Sequence, residues 1–406
     1  MMHIARNIRV YMSVTVILLL AMLMSCNKVQ YGYVDTGEAD HSNPSISEVS
    51  FSFDWSKMGE KEVPEDLTVV MSRIVNTVHY VYALDKDGLI IGSAANTPEL
   101  QDSTAVADTS QVPQLPETPD SLVGPVIPPF AEPSPTDTIL NGDYYVMALA
   151  QANENYAYII EGVDQFVDSL NISMKDLYAA IPEVPAEEVV KEEIVDFNPM
   201  YPIIYPAEPL YLEVKKQSIY PQEDANNVVL TPQTLVRTMT FKINISTEEG
   251  VKIERLLGIM SGVPTKIQLM SGVVSRTGTG KVFFDMVDIF SNNNEYVFAG
   301  DANVLGLFPA TKPGFITGPG ILQIILDATV DGSARRRFFA SINLKETIEK
   351  ADLMIQTEDH LGYRCLKDAV LEVPTTLVVS RDQIVSSGGN GLEVWYDNQN
   401  IIDTEI

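Results

Sequence analysis

Val49-Ser50-Phe51-Ser52-Phe53-Asp54-Trp55 sets large apolar residues at every second position, with small or polar residues between them. Successive side chains of an extended chain point to opposite faces, so these four apolar residues share one face of a half-buried strand. The same period returns in the second half, where Met239, Phe241, Ile243 and Ile245 alternate with Thr240, Lys242 and Asn244. Around the first strand, Leu67 to Met71, Val78 to Leu84, Tyr144 to Ala150 and Leu210 to Val214 are short runs rich in β-branched and aromatic residues. Around the second lie Lys281 to Ile289, Tyr296 to Ala299, Ile321 to Leu326, Phe338 to Ile342, Thr376 to Ser380 and Leu392 to Tyr396. No long helical period alternates with these strands, which excludes a parallel α/β sheet. The expected fold is all-β with minor helix, built as two β-sandwiches in tandem. One short amphipathic helix is read from Val163, Phe166, Val167 and Leu170, and a further helical turn at Ser173 to Leu177.

The strands divide the chain at the polar run Asp224-Ala225-Asn226-Asn227, giving an N-terminal domain over residues 48–223 and a C-terminal domain over 224–406. Residues 93–140 interrupt the first domain with nine prolines among Ser, Thr and acidic residues, and neither Lys nor Arg occurs between Lys86 and Lys175. Proline removes ladder donors and like charges repel, so this stretch reads as an exposed, extended insertion. Upstream, residues 26–47 are polar, carry Gly and Pro, and lack any apolar period, which fits a flexible tether.

Residues 1–25 have the order of a secretory signal: Arg6 and Arg9, an apolar core from Val14 to Met24, then Ser25. The core is short for a membrane span. Leu23-Met24-Ser25-Cys26 places Leu at minus three and a small residue at minus one, the pattern of lipid attachment at Cys26 with cleavage between Ser25 and Cys26.

The formal charge is −28, with 27 Lys and Arg against 55 Asp and Glu, and nucleic acid and anionic membrane surfaces are poor partners for such a chain. With Cys26 acylated, Cys365 is left as a single thiol, which can build neither a disulfide nor a thiolate metal cluster, and is expected to be buried and inert. His41, His79 and His360 are too far apart for a paired metal motif, so neither metal nor cofactor is expected. Arg276-Thr277-Gly278-Thr279-Gly280-Lys281-Val282 fails as a phosphate loop, because Ser275 stands where its first Gly belongs and Val282 where Ser or Thr must reach magnesium; it reads as a hairpin turn. Asp85-Lys86-Asp87-Gly88 lacks the terminal glutamate of a calcium loop and reads as a turn. Arg335-Arg336-Arg337 reads as a solvated strand flank, and Trp55 and Trp395 as core residues. No nucleophile with a base, and no convergent carboxylate pair, is recognisable, so no enzyme is expected and no small-molecule substrate.

Taken together, the lipid-attachment motif, the opening strand ending in Asp54-Trp55, the segment Thr240 to Ile245 followed by Ile259-Met260-Ser261-Gly262-Val263-Pro264 and Ile267-Gln268-Leu269, and the closing run Gly388-Gly389-Asn390-Gly391-Leu392-Glu393-Val394-Trp395-Tyr396-Asp397 resemble the anchor and tip lipoproteins of type V fimbriae of Bacteroidota. The Ser261-Gly262 pair looks like the family's turn between two strands. The resemblance implies two transthyretin-like Greek-key sandwiches, an outer-membrane lipid anchor, and fimbrillin-like subunits as partners. It also implies a role in a surface fibre as anchor or accessory subunit; a surface glycan-binding lipoprotein accessory to nutrient uptake is the alternative. In that family shaft subunits are released from their lipid by an arginine-specific cut, and here no arginine lies between Cys26 and Arg73. The location this implies is the cell surface, with the periplasmic face as the alternative because the first acidic residue behind Cys26 is Asp35. The Asp-Ser/Thr triplets of this phylum's O-glycosylation occur at Ser103, Ser121 and Thr138. Leu392, Val394 and Tyr396 share one face of the closing strand, which would let it fill a partner's groove by strand addition.

Overall fold

The computed structural model describes residues 45–56, 63–75, 78–96, 129–151, 158–161, 174–191, 200–313, 317–358, 360, 362–386 and 392–393. The fold is all-β with minor helix, and Ser45–Ile406 forms one compact unit. The first half contributes β1 (Ile46–Phe53), β2 (Asp66–Arg73), β3 (His79–Asp85), β4 (Ile90–Asn96), β5 (Pro129–Ser134), β6 (Asp137–Leu140) and β7 (Gly142–Gln151). An arm follows, with β8 (Ile159–Glu161), β9 (Tyr178–Ala180), helix α1 (Ala186–Lys191) and β10 (Ile203–Ile204), and the chain returns through β11 (Leu210–Ile219), β12 (Asn226–Leu230) and β13 (Gln233–Thr234).

Two layers make the first sandwich: a three-stranded sheet ordered β12-β1-β6 and a seven-stranded sheet ordered β13-β11-β7-β2-β3-β4-β5. Val49 and Phe51 of β1 and Ile139 and Leu140 of β6 meet Leu67, Val69 and Met71 of β2 and three tyrosines in one buried cluster. Those tyrosines are Tyr80, Tyr82 and Tyr144, and the Tyr80 ring lies 6.5 Å from that of Tyr82 and 6.1 Å from that of Tyr144. The backbone of Leu140 is pinned between two of them: its N–H donates to Tyr80 Oη and its carbonyl accepts from Tyr144 Oη. Burial pushes the Tyr144 and Tyr82 hydroxyls well above the usual phenol range, so both stay protonated.

The second half opens with β14 (Arg237–Thr247), β15 (Val251–Pro264), β16 (Lys266–Gln268), β17 (Val273–Val274), β18 (Thr279–Asn292) and β19 (Glu295–Val304). It continues with β20 (Ile321–Val330), β21 (Ala334–Asn343), helix α2 (Lys345–Ala351), β22 (Met354–Gln356), β23 (Tyr363–Cys365), β24 (Ala369–Glu372), β25 (Leu377–Val379), β26 (Ile384–Ser386) and β27 (Leu392–Glu393). Eleven strands form one sheet along the path β26-β25-β14-β19-β18-β15-β20-β21-β27, with β10 and β24 attached to β18 and β14. Strand β18 pairs with β15 over its first part and with β19 over its last, so it carries the sheet from one layer of the sandwich to the other. Inside, Phe241 of β14 stacks on Phe284 of β18 at 5.0 Å, and Ile243 and Ile245 are fully buried beside them.

Strand pairing does not follow the expected division at residues 223/224. Strand β12 runs parallel to β1, with Val49 opposite Asn226 and Phe53 opposite Leu230, so residues beyond 224 complete the first sandwich. The arm between β7 and β11 crosses over instead: β9 pairs with β16 and β10 with β18. Val184, Ile203 and the adjoining Val189 of α1 cover Leu257, Ile259, Ile325 and Phe339 on the outer face of the second sandwich. The polar run at 224–227 lies where the chain passes from β11 in the seven-stranded sheet to β12 in the three-stranded one, a connection with the same composition as a linker.

The insertion is also shorter than its prolines suggested. Residues 93–96 end β4, and residues 129–140 supply β5 and β6, with Ile139 and Leu140 fully buried. Past Pro135 the run Thr138-Ile139-Leu140 is free to pair, and β6 pairs antiparallel with β1. The expected helix over Val163 to Leu170 lies outside the described residues, and Met174–Asp176 is a 3₁₀ turn ahead of the buried Leu177.

Ser261-Gly262 is not a turn between strands. It is a bulge inside the fourteen-residue β15, where the register shifts between Ser261 and Val263. Gly262 has φ +88°, and a Cβ there would lie 2.7 Å from the carbonyl oxygen of Phe308, so only glycine fits. Ser261 Oγ donates to the Gly318 carbonyl at 2.6 Å and accepts from the Ile321 N–H at 3.1 Å, which ties the bulge to the start of β20. The turn at Ser275 to Gly278 ends one residue before β18, and Lys281, expected within a hairpin loop, is a buried strand residue.

Candidate assembly surfaces and an Arg-lined pocket

Strand β1 is the first described element of the chain, and it occupies the centre of its sheet. It pairs with β12 along Val49 to Phe53 and with β6 along Ile46 to Val49. Asn226, itself buried, donates through Nδ2 to the carbonyls of Glu48 at 3.1 Å and Tyr220 at 3.0 Å, clamping β1 to the turn before β12. The Asp54 N–H extends the ladder to the Leu230 carbonyl at 2.7 Å. Phe53 and Trp55 stack at 5.2 Å and pack, half-buried, on the first core, as the alternation predicted for all four apolar residues. Burying Val49 and Phe51 contributes roughly 1.5–3 kcal/mol each. The first arginine after Cys26, Arg73, is the last residue of β2, a strand flanked by β3 and β7.

The closing segment sits differently. Leu392 lies opposite Ile342 and Glu393 opposite Ser341, so β27 pairs with the outer edge of β21 in its own sheet. Val394 and Tyr396 lie outside the described residues, as do Ser25, Cys26, Ser103, Ser121 and Trp395. Among the described residues no other strand pairs with that edge of β21 over Arg335 to Phe339. Thr138 is exposed on β6 opposite Glu48, and its N–H donates to Asp137 Oδ1 at 2.7 Å. The Arg335–Arg337 cluster lies in β21. Arg337 makes a two-point ion pair with Asp327 at 2.6 and 2.8 Å, and Arg336 meets Asp382 at 3.6 Å, so carboxylates of the same domain neutralise it.

Asp85 Oδ1 accepts from the N–H groups of Asp87 and Leu89 in a turn closed by Gly88 at φ +89°. No group of three or more His, Cys, Asp or Glu that could hold a metal occurs among the described residues. No helix among them is long and apolar enough to cross a membrane.

A pocket of about 480 Å³ opens where the seven-stranded sheet meets the six-stranded sheet ordered β22-β23-β17-β16-β9-β8. Leu212 and Glu213 of β11, Thr231 and Gln233 line one side, and Arg237, Ile267, Met270, Arg364 and Cys365 the other. Arg364 donates from Nε and a terminal nitrogen to the Ser271 carbonyl at 3.0 and 2.6 Å. Arg237 Nε is sealed from solvent without a hydrogen-bond partner among the described residues. Glu213 Oε2 accepts from the Thr231 N–H. Burial, the largest influence, pushes the Cys365 thiol up to about 11, so it is neutral at physiological pH and half-buried at the wall, close to the inert state expected of it. Neither arginine was picked out by motif. The available signal was scarcity, because a basic residue in so acidic a chain is normally paired, and these two are separated by more than a hundred positions.

No family model matches the chain, and no curated protein does. Solved structures do. A "putative adhesin" from Bacteroides ovatus is 13% identical, with 75% of this chain and 85% of that one covered and a TM-score of 0.42. The fimbrial anchor protein Mfa2 from Porphyromonas gingivalis is 11% identical, covering 86% and 98%, with a TM-score of 0.36. A fimbrial assembly protein from Parabacteroides distasonis is 8% identical, covering 87% and 100%, with a TM-score of 0.29.

Proposed function

We propose that the protein is a lipid-anchored cell-envelope protein with a non-catalytic structural or adhesive role, serving as anchor or accessory subunit of a surface fibre. The observation that carries this reading is the position of β1. The strand nearest the lipid-attachment motif is central to its sheet, clamped by Asn226 and buried through Val49 and Phe51. A cut at Arg73 would remove both β1 and β2, so an arginine-specific release from lipid cannot leave the first sandwich intact. Retention on the membrane suits an anchor and not a released shaft subunit.

Partner subunits then meet the fold at the β21 edge, along which Leu392 and Glu393 pair. Against a glycan platform stands the distribution of aromatic rings: among the described residues the exposed large aromatics are Tyr220 and Phe290, in different halves. The test is twofold. Metabolic labelling with an alkyne fatty acid should tag the wild type and not Cys26→Ser, whose product should leave the detergent phase. Affinity purification from the envelope should recover fimbrillin-like subunits; recovery of a glycan transporter with its glycosidases would replace this reading with the nutrient-uptake one.

A further inference from the structure

The basic residues of the second half are mostly spoken for. Arg255 meets Asp285, Arg336 meets Asp382, Arg337 meets Asp327, and Arg381 meets Glu248 and Asp331. Arg237 and Arg364 are different: both face the same pocket, and neither forms an ion pair with any described carboxylate. The pocket's own carboxylate, Glu213, is engaged by the Thr231 N–H, and Cys365 adds no charge. Among the lining residues two guanidinium groups stand against one carboxylate, and the nearby Asp368 carboxylate is engaged by the Thr238 N–H at 2.9 Å.

A guanidinium held in a concave, partly desolvated wall favours a carboxylate, which it binds through two parallel N–H···O bonds. Aliphatic side chains, among them Leu212, Ile267, Met270 and Leu305, share the wall with polar Thr231, Gln233 and Thr234, and no aromatic ring on which a sugar could stack lines it. A volume near 480 Å³ lies in the range of small-molecule sites. We infer that this pocket binds a small carboxylate with an aliphatic body, its carboxylate on Arg237 and Arg364 and its chain against the Leu, Ile and Met side chains. This site is independent of the fibre role.

Octanoate is the probe, titrated by calorimetry into the full chain carrying Cys26→Ser, with octanol and glucuronate as controls. Octanoate should bind, and Arg237→Gln should weaken it roughly tenfold or more, the scale of a lost charge-assisted bond. Octanol and glucuronate, each lacking one of the two features, should bind at least as weakly as octanoate binds the variant. In this chain Cys365 is the remaining thiol, so octanoate should also slow its modification by a small thiol reagent, a readout that needs no arginine variant. Absence of both binding and Cys365 protection would overturn the inference. Equal binding by a folded Arg237→Gln chain, or tighter binding of glucuronate, would do the same.

Discussion

The opening and closing strands of this chain are both short, yet their situations are opposite. Strand β1 is paired on both sides and carries Val49 and Phe51 into the first core, while the described part of the closing strand pairs two residues along one edge of β21. A central strand cannot leave without opening the core on both flanks, whereas an edge strand can be exchanged for a partner's at the cost of its own ladder. The N-terminal end of the described fold is therefore fixed, and exchange, where it occurs, belongs to the other end.

The largest expected effect tests the fixed end. Phe51→Ala should cost about 3–5 kcal/mol in denaturant unfolding, because a ring packed on Tyr82 at 5.1 Å leaves a cavity that a sheet centre cannot close. Asn226→Ala should follow at roughly 1–3 kcal/mol, since the carbonyls of Glu48 and Tyr220 lose the amide that joins them. A cost near zero for both would mean that β1 is no more firmly held than the closing strand.

Gly262→Ala sharpens the same contrast inside the second sandwich. The left-handed backbone and the approach to the Phe308 carbonyl together predict a loss of about 1–3 kcal/mol, read as a lowered melting temperature. Removing residues 391–406 should cost less than any of these and still abolish co-purification with a fimbrillin-like partner. Undiminished co-purification would remove the closing strand from assembly.

How much of this was legible depended on what covers each face. Strands β1 and β14 were readable because each has one buried face, so their sequences alternate. Strand β15 escaped as a single long strand: Leu256 to Pro264 is buried throughout, since its outer face lies under the arm, and Gly258 and Gly262 look like breaks in a run without period. The arm's allegiance was hidden for a related reason. Pairing of β9 with β16 and β10 with β18 leaves no local mark on residues 178–204, which continue the chain of the first half while completing the second. Proline content misplaced the insertion's end, because Ile139 and Leu140 follow the last proline closely and pack as core. The pocket was invisible for want of a local motif; Glu213, Arg237 and Arg364 come together only once both halves are folded.

The smallest predicted effect concerns pH and the half that holds β1. His79 begins β3 opposite Ser72, is 2% exposed, and burial lowers its pKa below the usual 6.5. Below pH 6.5 the unfolded chain takes up a proton that the folded site resists, so the unfolded state binds more protons and stability falls with falling pH. The loss begins near 6.5 and levels off once pH has passed below the lowered folded-state value. His79→Gln removes this titration while keeping a polar side chain of similar length, so the variant's stability should decline less between pH 6.5 and 5 than the wild type's, measured by denaturant unfolding at each pH. Since β3 adjoins β2 and both feed the cluster that holds Phe51, acid should also lower hydrogen-exchange protection around β1 to β3 more than around β20 and β21. Identical pH slopes for variant and wild type would place the acid sensitivity elsewhere, in carboxylate pairs such as Asp331 with Arg381, where the guanidinium holds the carboxyl below its ordinary range.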